Sequence, residues 1–472
     1  MKTKCNLIQL CLLAAMLLPA LIGEAQPTVT KIAAGGGHSL VLRSDGSLWA
    51  MGWNNFGQLG DGGVTATRDV PEEIMTSGVT AIAAGGGHSL FLKSDGSLWA
   101  MGGNQFGQLG DGTYANRNIP EQIVASNVTA IAAGDSFSLF IKSDGSLWAM
   151  GANDYGQLGD GTTDNGNYYT NRPEQIVASG VTAIAAGYAH SLFIKRHGNI
   201  FHTFTELWAM GFNYSGQLGD GTTNNRATPV LIQSYETPQL AGTSPVTAIA
   251  AGYSHSLFLK GDGSLWAMGD DIWGELGDGG AISSYGTNKP ELIVASGVTT
   301  IAAGENASLF LKSDGSLWAM GDNYNGQLGD GTSDHGYYQT SRPEQIVSTN
   351  VMAIAAGGEF SLFLKSDGNL WAMGDDSVGE LGDGTYITSD AAGDPSGVFS
   401  PEIILIVPPP ALGITTYGSQ PLLIFPTATY TNYLLQMTTN LASGNWVTVT
   451  NLIPIHAAII TNASGAAFFR LH

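Results

Sequence analysis

Residues 79–112 read VTAIAAGGGHSLFLKSDGSLWAMGGNQFGQLGDG, and variants of this stretch recur along most of the chain. Its string Leu-Trp-Ala-Met-Gly occurs seven times, at intervals of 49 to 60 residues, with the tryptophan at Trp49, Trp99, Trp148, Trp208, Trp266, Trp318 and Trp371. A period of roughly 50 residues that contains several short β segments is typical of propeller blades. The sequence therefore predicts an all-β fold in which residues 27–407 form a seven-bladed β-propeller.

Each repeat predicts four strands. Its parts are an Ile-Ala-Ala-Gly segment, a Ser-Leu-Phe-Leu-Lys segment, the tryptophan segment and a Pro-Glu segment such as the one that begins at Pro120. The Ser-Asp-Gly between the second and third segments predicts a tight hairpin, because glycine accepts a positive φ without a clash. Proline is expected at the start of the fourth strand, where its missing N–H costs least.

The order of these parts also predicts how the ring closes. The first copy begins near Val29 with no Pro-Glu segment before it, and the last copy is followed by Pro401 and Glu402. We therefore expect the C-terminal Pro-Glu strand to join the first blade, an arrangement that leaves no radial edge unpaired. The seven tryptophans are expected to pack between neighbouring blades.

Composition and charge exclude some functions. The chain has 472 residues and a formal net charge of −21, with only 18 Lys and Arg. Binding to nucleic acid needs a basic face that neutralises phosphates, so no nucleic-acid partner is expected. The apolar content of 43% can supply a core and excludes wholesale disorder.

Residues 1–25 have the pattern of a secretory signal peptide. Two lysines precede an apolar run at residues 7–22, and a cleavage site of small residues ends at Ala25. An uncleaved anchor is the alternative, although the run is short for a membrane span. We expect cleavage, no stable membrane span afterwards, and export to the periplasm, the cell surface or the extracellular space. Cys5 and Cys11 both lie in this segment, so the mature chain is expected to contain no cysteine.

The repeats resemble the regulator of chromosome condensation (RCC1-like) repeat family. The resemblance lies in the run Ala-Ala-Gly-Gly-Gly-His-Ser-Leu at residues 33–40, in Asp-Gly-Ser-Leu-Trp-Ala-Met-Gly, and in Asn-x-x-Gly-Gln-Leu-Gly-Asp-Gly. It covers about residues 27–407 and implies a seven-bladed propeller. In style the chain is similar to exported bacterial members such as the β-lactamase inhibitor protein II, which binds its enzyme with aromatic residues on one face. The resemblance implies a protein-binding face built from loops, and it assigns no individual residue.

The repeated histidines and aspartates are expected to be structural, and no catalytic, cofactor-binding or metal-binding residue is predicted. Histidine recurs at His38, His88, His190 and His255, but Phe137, Ala307 and Phe360 replace it in the other copies, which favours a role within each blade over a metal site. The repeated aspartates are Asp61, Asp111, Asp160, Asp220, Asp278, Asp330 and Asp383. They are expected to bond backbone N–H groups of their own turns. A carboxylate ring in the channel, and calcium binding near Asp160–Asp164 or Asp330–Asp334, are the alternatives.

Positions that differ between copies are better candidates for binding, because residues shared by all seven copies are expected to build the blade. The four residues before each Gly-Gln-Leu or Gly-Glu-Leu vary and are rich in aromatic residues, Asn and Asp, a composition typical of contact surfaces. The predicted partner-binding face comprises Trp53, Phe56, Phe106, Tyr155, Phe212, Tyr214, Trp273 and Tyr324. Candidates for extending it are Tyr168, Tyr169, Tyr337 and Tyr338. The alternative is that these aromatic side chains only fill gaps between loops.

Two segments depart from the repeat. Residues 196–206 replace the Ser-Asp-Gly turn of the fourth copy and include Phe201–Phe204, which predicts either a protruding finger or a neutral insertion. A proline-rich linker at residues 408–411 precedes a small β-rich module at residues 412–472. The module resembles C-terminal modules ending in Phe-Phe-Arg-Leu on exported proteins of Verrucomicrobia-like bacteria. Surface retention or export sorting, and a cap on the propeller, are its two interpretations.

The function predicted from the sequence is that of an exported, non-enzymatic propeller that holds another protein by its loop face. The partner would be a secreted or periplasmic enzyme that the chain inhibits, or a protein for which it is a scaffold. A cell-surface adhesion or structural protein tethered by the C-terminal module is the main alternative. A polysaccharide lyase or hydrolase is the third, and paired carboxylates of perturbed pKa on the channel axis would favour it.

Overall fold

The computed structural model describes residues 27–64, 67–164, 169–198, 203–237, 244–280, 286–332, 340–385 and 397–404, and six strands between residues 413 and 471. The chain divides into two units, Met1–Leu405 and Ile406–His472. All regular elements of the described residues are β-strands. The predicted leader at 1–25 and the predicted linker at 408–411 lie outside these residues.

Seven four-stranded antiparallel sheets form the first unit, each with its strands in sequence order. Blades one to four comprise β1 (Val29–Ala34), β2 (His38–Arg43), β3 (Leu48–Gly52), β4 (Arg68–Met75); β5 (Val79–Ala84), β6 (His88–Lys93), β7 (Leu98–Gly102), β8 (Arg117–Val124); β9 (Val128–Ala133), β10 (Phe137–Lys142), β11 (Leu147–Gly151), β12 (Thr170–Val177); β13 (Val181–Ala186), β14 (His190–Gly198), β15 (Thr203–Gly211), β16 (Arg226–Thr237). Blades five to seven comprise β17 (Val246–Ala251), β18 (His255–Lys260), β19 (Leu265–Gly269), β20 (Thr287–Val294); β21 (Val298–Ala303), β22 (Ala307–Lys312), β23 (Leu317–Gly321), β24 (Thr340–Val347); β25 (Val351–Ala356), β26 (Phe360–Lys365), β27 (Leu370–Asp375), β28 (Gly397–Ile404). The predicted seven-bladed propeller is confirmed.

The predicted closure of the ring is wrong. The C-terminal Pro-Glu strand β28 pairs with β27 of its own blade, with Ala372 opposite Glu402. Blade one has its own fourth strand, β4, in which Glu72 pairs with Ala50. Every copy carries a proline-containing fourth strand after its tryptophan strand, with Pro-Glu in six copies and Pro229-Val230 in blade four. The chain therefore contains seven complete blades and no strand has to be exchanged.

Backbone hydrogen bonds around the central channel close the ring instead. The first strand of each blade is innermost, and the glycine that follows it lines the channel. The N–H of the next residue donates to the equivalent glycine carbonyl of the following blade, at 3.0 to 3.3 Å, in all seven blades. Gly358 of blade seven donates to Gly35 of blade one and completes the circle. A Cβ on Gly35 would lie 2.5 Å from the carbonyl oxygen of Gly85, so this approach requires glycine.

The hydrophobic core lies between the blades. Phe91 of blade two is fully buried among Leu40, Leu42 and Met101, and Trp99 packs against the same cluster. Trp148, Trp208, Trp266, Trp318 and Trp371 occupy the equivalent places at the next five boundaries. The prediction that tryptophans pack between blades is confirmed for these six.

The Ser-Asp-Gly hairpins and the proline-containing fourth strands form the other end and the outer edge of each blade. Asp45 Oδ1 accepts the N–H and the hydroxyl of Ser47, and Gly46 has a φ of 80°, as the Ser-Asp-Gly signal predicts. Proline does not begin the fourth strand as expected. Pro71 lies inside β4, where the register with β3 shifts between Ala50 and Gly52. An irregularity on an edge strand spares the ladder a missing N–H.

The second unit contains six described strands. They are β29 (Gly413–Tyr417), β30 (Gln420–Ile424), β31 (Leu435–Thr438), β32 (Val447–Thr448), β33 (Ala457–Ile459) and β34 (Phe468–Leu471). The orders are β29-β30-β33 in one sheet and β32-β31-β34 in the other. The Phe-Phe-Arg-Leu motif therefore forms an edge strand that pairs with β31.

Candidate functional site

The variable loops surround the channel mouth on one face of the ring. We call this end, which carries the β1–β2 turn, the β3–β4 loop and their counterparts, the loop face. The N–H of Trp53 donates to Gly37 O at 2.7 Å, and that of Phe212 donates to Ala189 O at 2.8 Å. These bonds fix each variable loop directly outside the innermost turn of its own blade.

The second residue of each variable quartet builds the loop. Asn54 is fully buried; its Oδ1 accepts the N–H of Leu59 at 3.0 Å and its Nδ2 donates to Asp61 Oδ1 at 2.8 Å. The same two bonds are made by Asn104, Asn153, Asn213 and Asn323. In blades one, two and four the aspartate also pairs with an outer-strand arginine, as in Arg68–Asp61 at 2.5 Å.

The repeated aspartates also accept a backbone N–H two residues later in every blade. Their predicted role in their own turns is confirmed. The residues that line the channel do not include them.

The third residue of each quartet points to solvent. Tyr214 is 68% exposed, Tyr324 is 41% exposed and Ile272 is 40% exposed. Large side chains held in this way on a rigid loop leave apolar area available for a contact. Tyr214 and Tyr324 belong to the predicted site, whereas Ile272 was missed because the prediction selected aromatic residues.

The fourth residue bridges to the next blade; it is buried in blade six and half-buried in the other blades. Phe56 packs where a Cβ on Gly87 of blade two would lie 2.9 Å from its ring, and Val378 packs in the same way against Gly37. Asn325 of blade six donates to Glu359 of blade seven. The alternative reading, in which side chains fill gaps between loops, therefore describes the fourth position.

Six of the eight predicted aromatic residues fall into three groups of contacting rings. Trp53 and Phe56 meet edge to face with centroids 5.0 Å apart, and Phe106 meets Tyr169 at 4.9 Å. Tyr155 of blade three contacts Phe212 of blade four at 4.8 Å, and Phe212 contacts Tyr214 at 4.9 Å. Trp273, half-buried, and Tyr324 make no ring contact within the described residues. Tyr168, Tyr337 and Tyr338 lie outside those residues.

The channel mouth holds functional candidates that the sequence prediction missed. Asp135, Tyr188, Tyr253 and Glu305 follow the channel glycines of blades three to six and line the opening. The rings of Tyr188 and Tyr253 stack with centroids 4.0 Å apart. The position after Ile-Ala-Ala-Gly varies between copies, so the rule used for the loops could have found it.

The mouth is acidic. Burial raises the pKa of Asp135, and burial followed by the nearby Asp135 and Asp322 raises the pKa of Glu305. Burial raises the pKa of Tyr188 to about 12, with a further contribution from its hydrogen bond to Tyr253. The residues lining the opening include no lysine or arginine. A cationic group of a partner would therefore be attracted to this centre.

The four histidines join neighbouring blades. Nε2 of His38 lies 2.9 Å from Ser89 Oγ of the next blade, and the same contact links His88, His190 and His255 to Ser138, Ser256 and Ser308. Each of these serines also donates to a backbone carbonyl of the preceding blade, as Ser89 does to Gln58. The histidines are structural as predicted, but they serve the interface between blades and not their own blade.

Burial lowers the pKa of His88 to about 3, with a further contribution from His38, so the folded protein keeps this imidazole neutral. The unfolded chain takes up the proton below its ordinary pKa of about 6.5, and stability is therefore lost as the pH falls from there. We expect His88→Phe, which copies blades three and seven, to remove this loss. Between pH 6.5 and pH 5 the wild type should lose about 2 kcal/mol more than the variant. Urea unfolding at both pH values measures the difference, and equal pH dependence would contradict the assignment.

The insertion of blade four lengthens its hairpin on the opposite face. The strands β14 and β15 stay paired out to Gly198 and Thr203, and β16 continues alongside to Thr237. His197 and Phe204 stack with centroids 5.1 Å apart. Phe201 and His202 lie outside the described residues, so the choice between finger and neutral insertion is still a prediction.

The described residues contain no group of three or more His, Cys, Asp or Glu placed to hold a metal ion. Asp160 accepts the N–H and hydroxyl of Thr162 within its own turn. Asp334 of the second calcium candidate lies outside the described residues. None of the described elements is a helix of the length and apolar character needed to cross a bilayer.

Comparison with known proteins agrees with the geometry. A model of the RCC1-like domain matches residues 13–241, and the regulator of chromosome condensation (RCC1) repeat matches residues 246–271, 298–327 and 351–380. A second RCC1 repeat model matches residues 314–364. The chain therefore carries RCC1-like repeats, and these repeats form its propeller.

Curated relatives match part of this chain. The human E3 ubiquitin-protein ligase HERC2 is 29% identical over 208 residues, which are 43% of this chain and 4% of HERC2. The Ultraviolet-B receptor UVR8 of Arabidopsis thaliana is 28% identical over 211 residues, which are 44% of each chain. The chain thus matches less than half the length of these relatives.

Two solved structures share the fold. Prp20p from Saccharomyces cerevisiae, described together with its binding to Gsp1p and histones, has a TM-score of 0.64 at 20% identity and covers 82% of this chain and 90% of its own. Human WBSCR16 has a TM-score of 0.63 at 22% identity and covers 78% and 95%.

Proposed function

We propose that this chain is an exported, non-enzymatic propeller that binds another protein through its loop face. The proposal rests on the different environments of the positions in each variable loop. The second residue bonds within its own loop, and the fourth contacts the next blade. The third is exposed to solvent, as Tyr214, Ile272 and Tyr324 are. Large side chains exposed on a rigid loop are suited to a contact with another protein.

The side chains of the loop face indicate what kind of partner would fit it. Apolar and aromatic residues of the variable loops surround an acidic, tyrosine-lined centre at Asp135, Glu305 and the Tyr188–Tyr253 stack. A partner that presents a lysine or arginine beside apolar side chains would complement both parts. Inhibition of a secreted or periplasmic enzyme is the finer version of this proposal, and the name of Prp20p, with its binding to Gsp1p and histones, supports only protein binding by a similar fold.

Affinity capture from secreted and periplasmic extract tests the proposal. The bait is the full chain, and the matched control bait carries Tyr214→Ser, Ile272→Ser and Tyr324→Ser. One protein retained by the wild type and lost with the control supports the proposal. A protein retained equally by both, or by the C-terminal unit alone, would show that the loop face is not the binding surface.

Glycoside cleavage is a second candidate, because carboxyl groups of raised pKa lie at the channel mouth. Asp135 and Glu305 both have this property. In such enzymes a carboxyl of raised pKa donates the proton to the leaving group. Loss of reducing-end release from polysaccharide on Asp135→Asn or Glu305→Gln would support catalysis, and an inactive wild type would exclude it for the polysaccharides tested.

A further inference from the structure

Blade six shows how two amide side chains satisfy two carboxylates in the variable loop. Asn323 Nδ2 donates to Asp330 Oδ1 at 3.0 Å, and Gln327 Nε2 donates to Asp322 Oδ2 at 3.1 Å. Each carboxylate therefore receives an N–H from an amide side chain.

Blades five and seven replace both amides by carboxyl groups. Asp271 and Glu275 stand at the Asn and Gln positions of blade five, and Asp376 and Glu380 stand there in blade seven. All four are buried, with 0 to 2% of the residue exposed. A carboxylate keeps the acceptor role of the amide and loses its donor role, unless it carries a proton.

The acceptor bonds are retained. Asp271 Oδ1 accepts the N–H of Leu276 at 3.0 Å, and Glu275 Oε2 accepts the N–H of Trp273 at 2.9 Å. In blade seven Asp376 accepts from Leu381 at 3.3 Å and Glu380 accepts from Val378 at 2.9 Å. These bonds hold the turns that present Ile272 and Trp273 in one blade and Val378 in the other.

In blade five the carboxyl groups that replace the amides lie close to other acidic side chains. Asp271 hydrogen-bonds the carboxyl of Asp278, and Glu275 lies near Asp270 and Asp271. Neighbouring elements contribute Ser215, which bonds Asp270, and Arg342, whose guanidinium lies against Gly279. His255, kept neutral by burial, reaches the backbone of Glu275 through Ser308.

In blade seven Asp376 faces Asp383 and Asp375, and Glu380 faces Asp375 and Asp376. Asp69 of blade one lies against Gly379, and Glu359 lies close to Asp375. The position of Arg68, which pairs with Asp61 in blade one, is Thr287 in blade five and Val398 in blade seven. The same position is Thr340 in blade six, so blades five and seven differ from blade six in the amides and not in the arginine.

We propose that the loops of blades five and seven form a proton-operated switch on the loop face. The face is ordered while the two buried carboxyl groups of each pair, Asp271 with Glu275 and Asp376 with Glu380, carry protons, and it is loosened when both members of a pair ionise. This inference rests on the function proposed above for the same face. It predicts that the face is complete at mildly acidic to neutral pH and incomplete at alkaline pH.

The direction of the effect follows from linkage. Burial raises the pKa of Asp271 and Asp376 to about 7, that of Glu275 to about 8 and that of Glu380 to about 9. A folded-state pKa above the unfolded value means that the folded chain binds more protons, so stability falls as the pH rises toward these values. Above about pH 7.5, one unit above the ordinary histidine pKa, the buried histidines are neutral in both states, so the carboxyl pairs alone govern the change among these groups.

Thermal unfolding between pH 7.5 and pH 9.5 tests the switch without any partner. The wild-type melting temperature is expected to fall across this range. The amide variant, Asp271→Asn, Glu275→Gln, Asp376→Asn and Glu380→Gln, copies blade six and is expected to show a flat profile. The carboxyl variant, Asn323→Asp with Gln327→Glu, installs the pairs in blade six and should fall more steeply than the wild type. The single variant Asp271→Asn changes only the pair of blade five, so it measures the contribution of that blade to the pH dependence.

Parallel wild-type and amide-variant profiles would overturn the proposal. Recovery of the wild-type melting temperature at pH 9 by added Ca²⁺, without effect on the amide variant, would also overturn it, because the pairs would then be a cation site.

The binding arm uses the captured partner. For each carboxyl group that must be protonated for binding, wild-type affinity is expected to fall about tenfold per pH unit above the pKa of that group. The amide variant is expected to keep its affinity. The switch would be overturned if the melting temperature of the amide variant is independent of pH and the wild type nevertheless binds its partner equally well at every pH. The binding face would then still stand. Binding that survives the Tyr214, Ile272 and Tyr324 serine changes would overturn the binding face instead.

Discussion

Serine at Tyr214, Ile272 and Tyr324 is expected to weaken partner binding by at least 100-fold while the fold remains intact. Truncating a hot-spot residue costs about 2 kcal/mol or more, and tenfold in affinity corresponds to about 1.4 kcal/mol. Two hot spots among the three residues are therefore enough for a loss of about 100-fold. The three side chains are 40 to 68% exposed, so their removal is expected to change folding stability by less than about 1 kcal/mol. Isothermal titration with the captured partner measures the loss.

The matched control moves the same change away from the loop face. Leu292, Met352 and Ile403 are 44 to 60% exposed on strands of the propeller, outside the variable loops. Their replacement by serine should leave affinity unchanged. Equal loss of affinity in both triple variants would mean that general surface apolarity, and not the loop face, drives binding.

Phe91→Ala is expected to destabilise the propeller by about 3 to 5 kcal/mol, the usual cost of removing a buried aromatic ring and leaving a cavity. Phe91 is fully buried between blades one and two, and its ring stacks on Trp99 with centroids 6.1 Å apart. Because the core lies between blades, the cavity weakens two sheets together. Chemical denaturation followed by tryptophan fluorescence measures the change.

Met352→Ser is the control for that experiment, since Met352 is 60% exposed on an inner strand. Its effect should stay within about 0.5 kcal/mol. A loss below about 1 kcal/mol for Phe91→Ala would place the main core elsewhere than between the blades.

The fold was predictable because one strand order is repeated seven times. The closure of the ring depends in addition on which tryptophan strand each Pro-Glu segment pairs with. Seven copies of one strand order define seven sheets, because each Asp-Gly hairpin and each apolar strand is locally specified. The expectation that β28 completes blade one failed because the Pro-Glu segment was assigned to the copy that follows it. The segment pairs with the tryptophan strand before it, as Glu72 with Ala50 shows. The interblade role of His38 depends on contacts 51 residues away and has no local signal.

The candidate site was predictable in position and less so in residue. The varying quartets do lie together on one face, yet Phe56 and Tyr155 are half-buried bridges between loops. Replacing Trp53, Phe106, Tyr155, Phe212 and Trp273 together by alanine, the test that the sequence suggests, would therefore disturb loop packing as well as binding. The acidic mouth at Asp135 and Glu305 was missed because the search for varying positions was applied to the quartets and not to the position after Ile-Ala-Ala-Gly.

Hydrogen–deuterium exchange of the chain with and without its captured partner tests the central claim most directly, namely that shared residues build the blades and differing residues bind. The account predicts slower exchange at residues 212–215, 270–273 and 322–325, with no change at the Ser-Asp-Gly hairpins of the opposite face. Protection confined to those hairpins, to the blade-four insertion or to residues 412–472 would contradict it.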